Sequence, residues 1–124
     1  DSVLTQSFPL DAVYIFVPHF LKRTGDAYKI PGWLQAYDES GRIALRRCDD
    51  LGPGTAVYAV LSLEEDKSTH IFKVDDDQFY GPNTLRMLLR AQEVMPGRAL
   101  TTETGQIYPH MGGVVLQGVH GILL

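Results

Sequence analysis

The chain has 124 residues, of which 44% are hydrophobic and 21% charged, with a net charge of −4. This is the composition of one small globular domain and not of a disordered segment. The acidic balance argues against a protein that works mainly by neutralising nucleic-acid phosphates. The single cysteine, Cys48, excludes an intramolecular disulfide, and no apolar stretch approaches the ~20 residues needed to span a bilayer. There is also no basic start followed by an apolar signal core. The cytoplasm and the lumen of the secretory pathway both stay open.

In chain order, Asp1 to Ser7 reads as the last turns of a helix with Val3 and Leu4 inside, interrupted by Pro9. Ala12 to Val17 is a β-branched and aromatic run closed by Pro18. Runs without polar alternation suit strands covered on both faces, as in parallel sheets. His19 to Tyr37 is expected as a long loop, with a polar turn at Lys22-Arg23-Thr24-Gly25-Asp26 and a short helix near Trp33 to Ala36. After a turn over Asp38 to Gly41, Arg42 to Cys48 is a second strand. Ala56 to Leu63 follows as a helix with Val57, Val60 and Leu61 on one buried face. Glu64 to Lys67 is a solvated charge run.

Thr69 to Val74 is expected to be the central strand, delivering Asp75-Asp76-Asp77 to the sheet edge. Pro82 suits the first position of the next helix. Leu85, Leu88, Leu89 and Met95 form its inner stripe, Arg86 and Arg90 its wet face, and Pro96-Gly97 its stop. Ala99 to Thr102 is a weaker strand, Gly105 to His110 a loop, and Gly112 to Leu116 a strand near the sheet edge. Gly121 to Leu124 is an apolar run with no closing element. The alternation predicts an α/β fold, a mostly parallel twisted sheet with flanking helices. The start without Met and the apolar end lead us to expect one partial domain, 1–124, truncated at both ends.

Three constellations carry chemistry. Side chains alternate along a strand, so Asp75 and Asp77 are expected to face one way and Asp76 the other. Two carboxylates on one side suit a hard cation such as Mg²⁺ or Mn²⁺; the alternative is that strand-end aspartates cap turns and the next helix. Asp49-Asp50-Leu51-Gly52-Pro53-Gly54-Thr55 lets backbone approach an anion at a helix start, or is a plain strand-to-helix turn capped by Thr55. Lys22-Arg23-Thr24-Gly25 is a basic turn that reaches phosphate or only solvent. The four histidines lack zinc-ligand spacing, and Cys48 has no base beside it to make it a nucleophile.

Lys73-Val74-Asp75-Asp76-Asp77, with Tyr80 and the Pro82-Asn83 helix start, resembles the D-x-D segment of GT-A nucleotide-sugar glycosyltransferases. The likeness runs in order along nearly the whole chain. Leu4-Thr5-Gln6-Ser7-Phe8-Pro9 is similar to the end of that family's first helix. Val17-Pro18, Lys22-Arg23-Thr24-Gly25, Ile30-Pro31-Gly32-Trp33-Leu34, Arg47-Cys48-Asp49-Asp50-Leu51-Gly52-Pro53-Gly54-Thr55 and Gly112-Gly113-Val114 resemble one bacterial and algal subgroup. The subgroup usually has Lys after Gly-Pro-x-Thr, where this chain has Ala56.

The resemblance implies transfer of a sugar from a nucleotide diphosphate sugar to a glycan, protein or lipid acceptor, with bound Mn²⁺ or Mg²⁺. By the match, Asp77 would be the principal metal ligand. Asp75 would contact the ribose, or the metal through water, with Asp76 in support, and Asp50 and Gly52 would lie near the nucleotide. No general base is assigned; Glu103 is the nearest candidate. The competing expectation is a non-catalytic module that binds metal or sugar nucleotide. A receiver-like signalling domain fits less well, since it needs an earlier acidic pair and a later Lys that the order does not supply.

Overall fold

In the computed structural model, strand β1 (Tyr14–Pro18) lies parallel to β2 (Ala44–Cys48), in register from Tyr14 opposite Ala44 to Pro18 opposite Cys48. The structure describes residues 1–101 and the strands at 106–108, 113–115 and 122–123. A parallel pair needs a long crossover, and here the connection carries helix α1 (Gly32–Glu39). This helix runs on past the expected end at Ala36 because nothing stops it before Gly41, whose φ is +72°. The Gly41 N–H donates to Asp38 O at 2.9 Å and the Arg42 N–H to Tyr37 O at 3.2 Å. That pair of bonds is a Schellman cap, which a left-handed glycine makes without steric cost. The Arg42 guanidinium then lies over the Tyr37 ring, 4.7 Å from its centroid.

After β2, a 3₁₀ turn (Gly52–Gly54) leads into helix α2 (Thr55–Leu61). Val17, Leu34, Ile43 and Val60 are the buried apolar side chains of this part. Of the face expected on α2 only Val60 is fully buried, while Leu61 is 56% exposed. One residue on from Val60 is about 100° around a helix, enough to turn Leu61 off the core side.

Residues 10–69 form one unit; residues 1–9 and 70–124 form the other. In the second unit, Asp1 to Ser7 makes a single turn, with the Leu4 N–H donating to Asp1 O at 3.0 Å, and not the expected helix. Strand β3 (Phe72–Lys73), helix α3 (Thr84–Val94) and strand β4 (Leu100–Thr101) follow. The remaining strands are β5 (Gln106–Tyr108), β6 (Gly113–Val115) and β7 (Ile122–Leu123).

Among the described residues parallel pairing is confined to β1 and β2, which corrects the expectation of a mostly parallel sheet. β7 pairs antiparallel with both β3 and β4, and β5 with β6. The β5–β6 link, 109–112, is too short for a parallel crossover. The expected loop over Gly105 to His110 therefore contains a strand. The apolar run with no expected closing element supplies the middle strand of the order β3-β7-β4. β3 is shorter than Thr69 to Val74 because the backbone leaves the ladder after Lys73; the Asp75 N–H donates to Tyr80 Oη instead. On α3, Leu85 and Leu88 are buried and Arg86 and Arg90 exposed, as the spacing predicts. Met95 is the C-cap and is 47% exposed, so it is not part of the inner stripe.

The chain is thus an α/β fold with one small parallel strand pair and, among the described residues, three α-helices. No described helix is long and apolar enough to cross a membrane.

Candidate functional site

The acidic segment begins where β3 ends. Lys73 closes β3, and Asp75 follows two residues on, outside the strand. They form an ion pair between Lys73 Nζ and Asp75 Oδ1, with side-chain exposures of 18% and 25%. Asp76 and Asp77 lie in a turn and are exposed. The two-residue strand alternation therefore does not extend to Asp77, and it does not set the relative facing of the three carboxylates. The Asp77 carboxylate accepts a weak 3.4 Å bond from Gln78 Nε2.

Tyr80 braces this turn from inside. It is 4% exposed, its ring meets Phe72 edge-on at 5.7 Å, and its hydroxyl takes the Asp75 N–H at 2.9 Å. Burial pushes the phenol pKa up from its ordinary value; the bond from the Asp75 N–H opposes this, and the Asp75 and Asp77 charges add to the rise. The hydroxyl thus stays protonated and neutral beside the carboxylates.

Two residues of the N-terminal segment fix the helix that follows. The expected Pro82 start gives way to a helix beginning at Thr84, whose N-cap Asn83 makes no side-chain capping bond. Gln6 takes over that role from far away in sequence. Its Oε1 accepts the Leu85 N–H at 3.0 Å while its Nε2 donates to Gly81 O at 2.8 Å and Ser2 O at 3.0 Å. Ser7 Oγ donates to Asn83 Oδ1 at 2.7 Å, and Arg86 donates to Ser7 Oγ and Ser7 O. Helix-start N–H groups need such partners because no helical carbonyl reaches them.

Asp50 and Gly52 belong to the other unit, residues 10–69. Asp50 Oδ2 accepts the Lys22 N–H and Oδ1 the Gly52 N–H, each at 2.8 Å. Those two backbone bonds are the chief reason its carboxyl is held below the usual carboxylate range, with the Lys22 charge and Thr55 adding a little. Gly52 has φ +74°, which an L side chain rarely adopts. Thr55 Oγ1 accepts the Leu51 N–H at 2.9 Å and donates to Gly52 O at 2.7 Å. The segment is thus a self-closed Asx turn that also pins the Lys22–Gly25 turn. These bonds close a strand-to-helix turn, but Thr55 is the first residue of α2 and not its cap; the N-cap is Gly54, with no side-chain capping bond.

Cys48 is half-buried, and burial, then Asp49 and Asp50, raise its thiol pKa against the pull of Arg47. A protonated thiol is a poor nucleophile. Glu103, His110, Gly112 and His120 lie outside the described residues.

Among the described residues no group of three or more His, Cys, Asp or Glu gathers to hold a metal. Mg²⁺ does not need such a cage, since it commonly uses one or two carboxylates together with substrate phosphates and water. Asp75 and Asp77 offer hard oxygen donors of that type, and the Lys73 ammonium stands in as a cation on Asp75. The donor chemistry fits a hard divalent ion. Lys73, Tyr80 and Gln6 were the residues the sequence reading left without a role. The two-residue spacing of Lys73 and Asp75 was the available signal for the first; the other two make contacts that local sequence does not encode. No family model, no curated protein and no solved structure gives a significant match to this chain.

Proposed function

We propose that the chain is a metal-dependent glycosyltransferase domain of GT-A type, acting on a nucleotide diphosphate sugar. The observation that carries this reading is the ordered set of motifs from Leu4-Thr5-Gln6-Ser7 through Asp50-Leu51-Gly52-Pro53 to Lys73-Val74-Asp75-Asp76-Asp77. In this proposal Asp77 is the main ligand of Mn²⁺ or Mg²⁺, Asp75 serves the ribose or the metal through water, and Asp76 supports them. When bound, the cation supplies charge neutralisation to the leaving diphosphate. The acceptor is a glycan, protein or lipid.

A second reading, a non-catalytic module that binds metal or sugar nucleotide, is favoured by Ala56 in place of the subgroup's Lys. Calorimetric titration with UDP and GDP, with and without Mn²⁺, tests what both readings share. Binding that requires Mn²⁺, weakened at least on the order of tenfold in Asp77→Ala, is expected for loss of a ligand. Absence of nucleotide binding, or binding indifferent to Mn²⁺ and to Asp77→Ala, would overturn the enzyme reading; the binding module falls only if neither nucleotide nor Mn²⁺ binds. Hydrolysis of a sugar nucleotide by the Mn²⁺-loaded protein separates the enzyme from the binding module.

A further inference from the structure

We propose that Lys73 is the resident cation of Asp75, a charge that a divalent ion at this turn must displace or share. The inference rests on the metal reading of the acidic turn given above. Lys73 Nζ pairs with Asp75 Oδ1, and both side chains are largely withdrawn from water. Charges in such a position are screened less than surface pairs, so the pair holds Asp75 more firmly than an exposed ion pair would. Among the described residues Asp75 Oδ2 has no hydrogen-bond partner, so a metal has an oxygen to approach. It would meet that oxygen with the ammonium on the other side of the same carboxylate. Two like charges on one carboxylate repel.

The consequence is selectivity by charge. Bare Mn²⁺ competes with a cation already present, whereas a Mn²⁺–diphosphate complex brings anionic oxygens to which the ammonium can turn. Lys73 therefore keeps affinity for free metal low and makes it depend on the diphosphate.

The test titrates Mn²⁺ into the nucleotide-free chain, read by calorimetry and by the electron-spin-resonance signal of free Mn²⁺. Wild type, Lys73→Met and Lys73→Arg are compared, with Lys73→Gln as a second neutral variant should Met impair folding. Removal of the charge is expected to tighten Mn²⁺ on the order of tenfold, and Lys73→Arg to stay near wild type. A neutral variant that binds Mn²⁺ no more tightly than wild type overturns the inference and leaves the metal reading standing. No Mn²⁺ binding by any variant overturns this inference, and the metal reading falls with it only if nucleotide binding by wild type is also indifferent to Mn²⁺. A metal-free double-mutant cycle of Lys73→Met and Asp75→Asn, read by urea denaturation, tests the pair separately; zero coupling between the two positions also overturns the inference.

Discussion

Replacing Tyr80 by Phe removes one oxygen and keeps the ring. The ring stays buried against Phe72, so its packing is retained. What is lost is the acceptor for the Asp75 N–H, a 2.9 Å bond in a half-buried setting. An unsatisfied buried donor costs about 1–3 kcal/mol. Asp75 is partly reachable by water, so Tyr80→Phe should fall in the lower half of that range. Tyr80→Ala also removes the ring, and large-to-small aromatic changes cost about 3–5 kcal/mol. Urea denaturation reads both, and the midpoints should fall in that order with an unchanged slope.

There is a pH arm with a definite sign. The folded pKa of Tyr80 is raised, first by burial. Its contribution to stability is therefore fully present below the unfolded value of about 10 and is lost as pH rises through the folded value. Tyr80→Phe should remove that part of the alkaline decline. The account is refuted if Tyr80→Phe costs less than about 0.5 kcal/mol, the range of neutral surface changes, or if its alkaline decline matches that of wild type.

Gln6→Leu deletes three hydrogen bonds that tie the N-terminal turn to the start of α3. A loss of roughly 1–3 kcal/mol is expected, with Gln6→Glu milder because an oxygen for the Leu85 N–H remains; equal effects in thermal melts would show that the Leu85 contact is not what matters. Asp50 has a depressed folded pKa, so its contribution is present above about pH 4 and is lost as pH falls through the folded value. Asp50→Asn should therefore lose stability less steeply than wild type in acid urea titrations, and parallel curves would refute the role of its two backbone bonds. Asp66 is also depressed, by Ser68, and is common to both proteins, so only the difference between them reports Asp50.

Local sequence determined a good deal. The run Tyr14–Pro18 is a strand because β-branched and aromatic residues suit pleated backbone, and the long segment before Ala44–Cys48 permits a parallel pair. Leu85 and Leu88 spaced three apart place the buried side of α3. Asp50, Gly52 and Thr55 close a turn with their own neighbours, so every bond within that turn is written in a few consecutive residues.

Tertiary structure decided what distance along the chain conceals. The strand at Ile122–Leu123 pairs with both Phe72–Lys73 and Leu100–Thr101, and no local pattern tells an apolar terminus which ladder it joins. Gln6 caps a helix that begins at Thr84, a partnership set by spatial approach alone. At the acidic turn, alternation predicted two carboxylates facing together, but the Asp75 N–H bonds to the buried Tyr80 hydroxyl and takes the backbone off the strand path. Periodicity holds only while the ladder lasts, and a buried side chain five residues on ends it. The triple aspartate was legible as a concentration of charge; that Lys73 already answers one of those charges emerged from the fold.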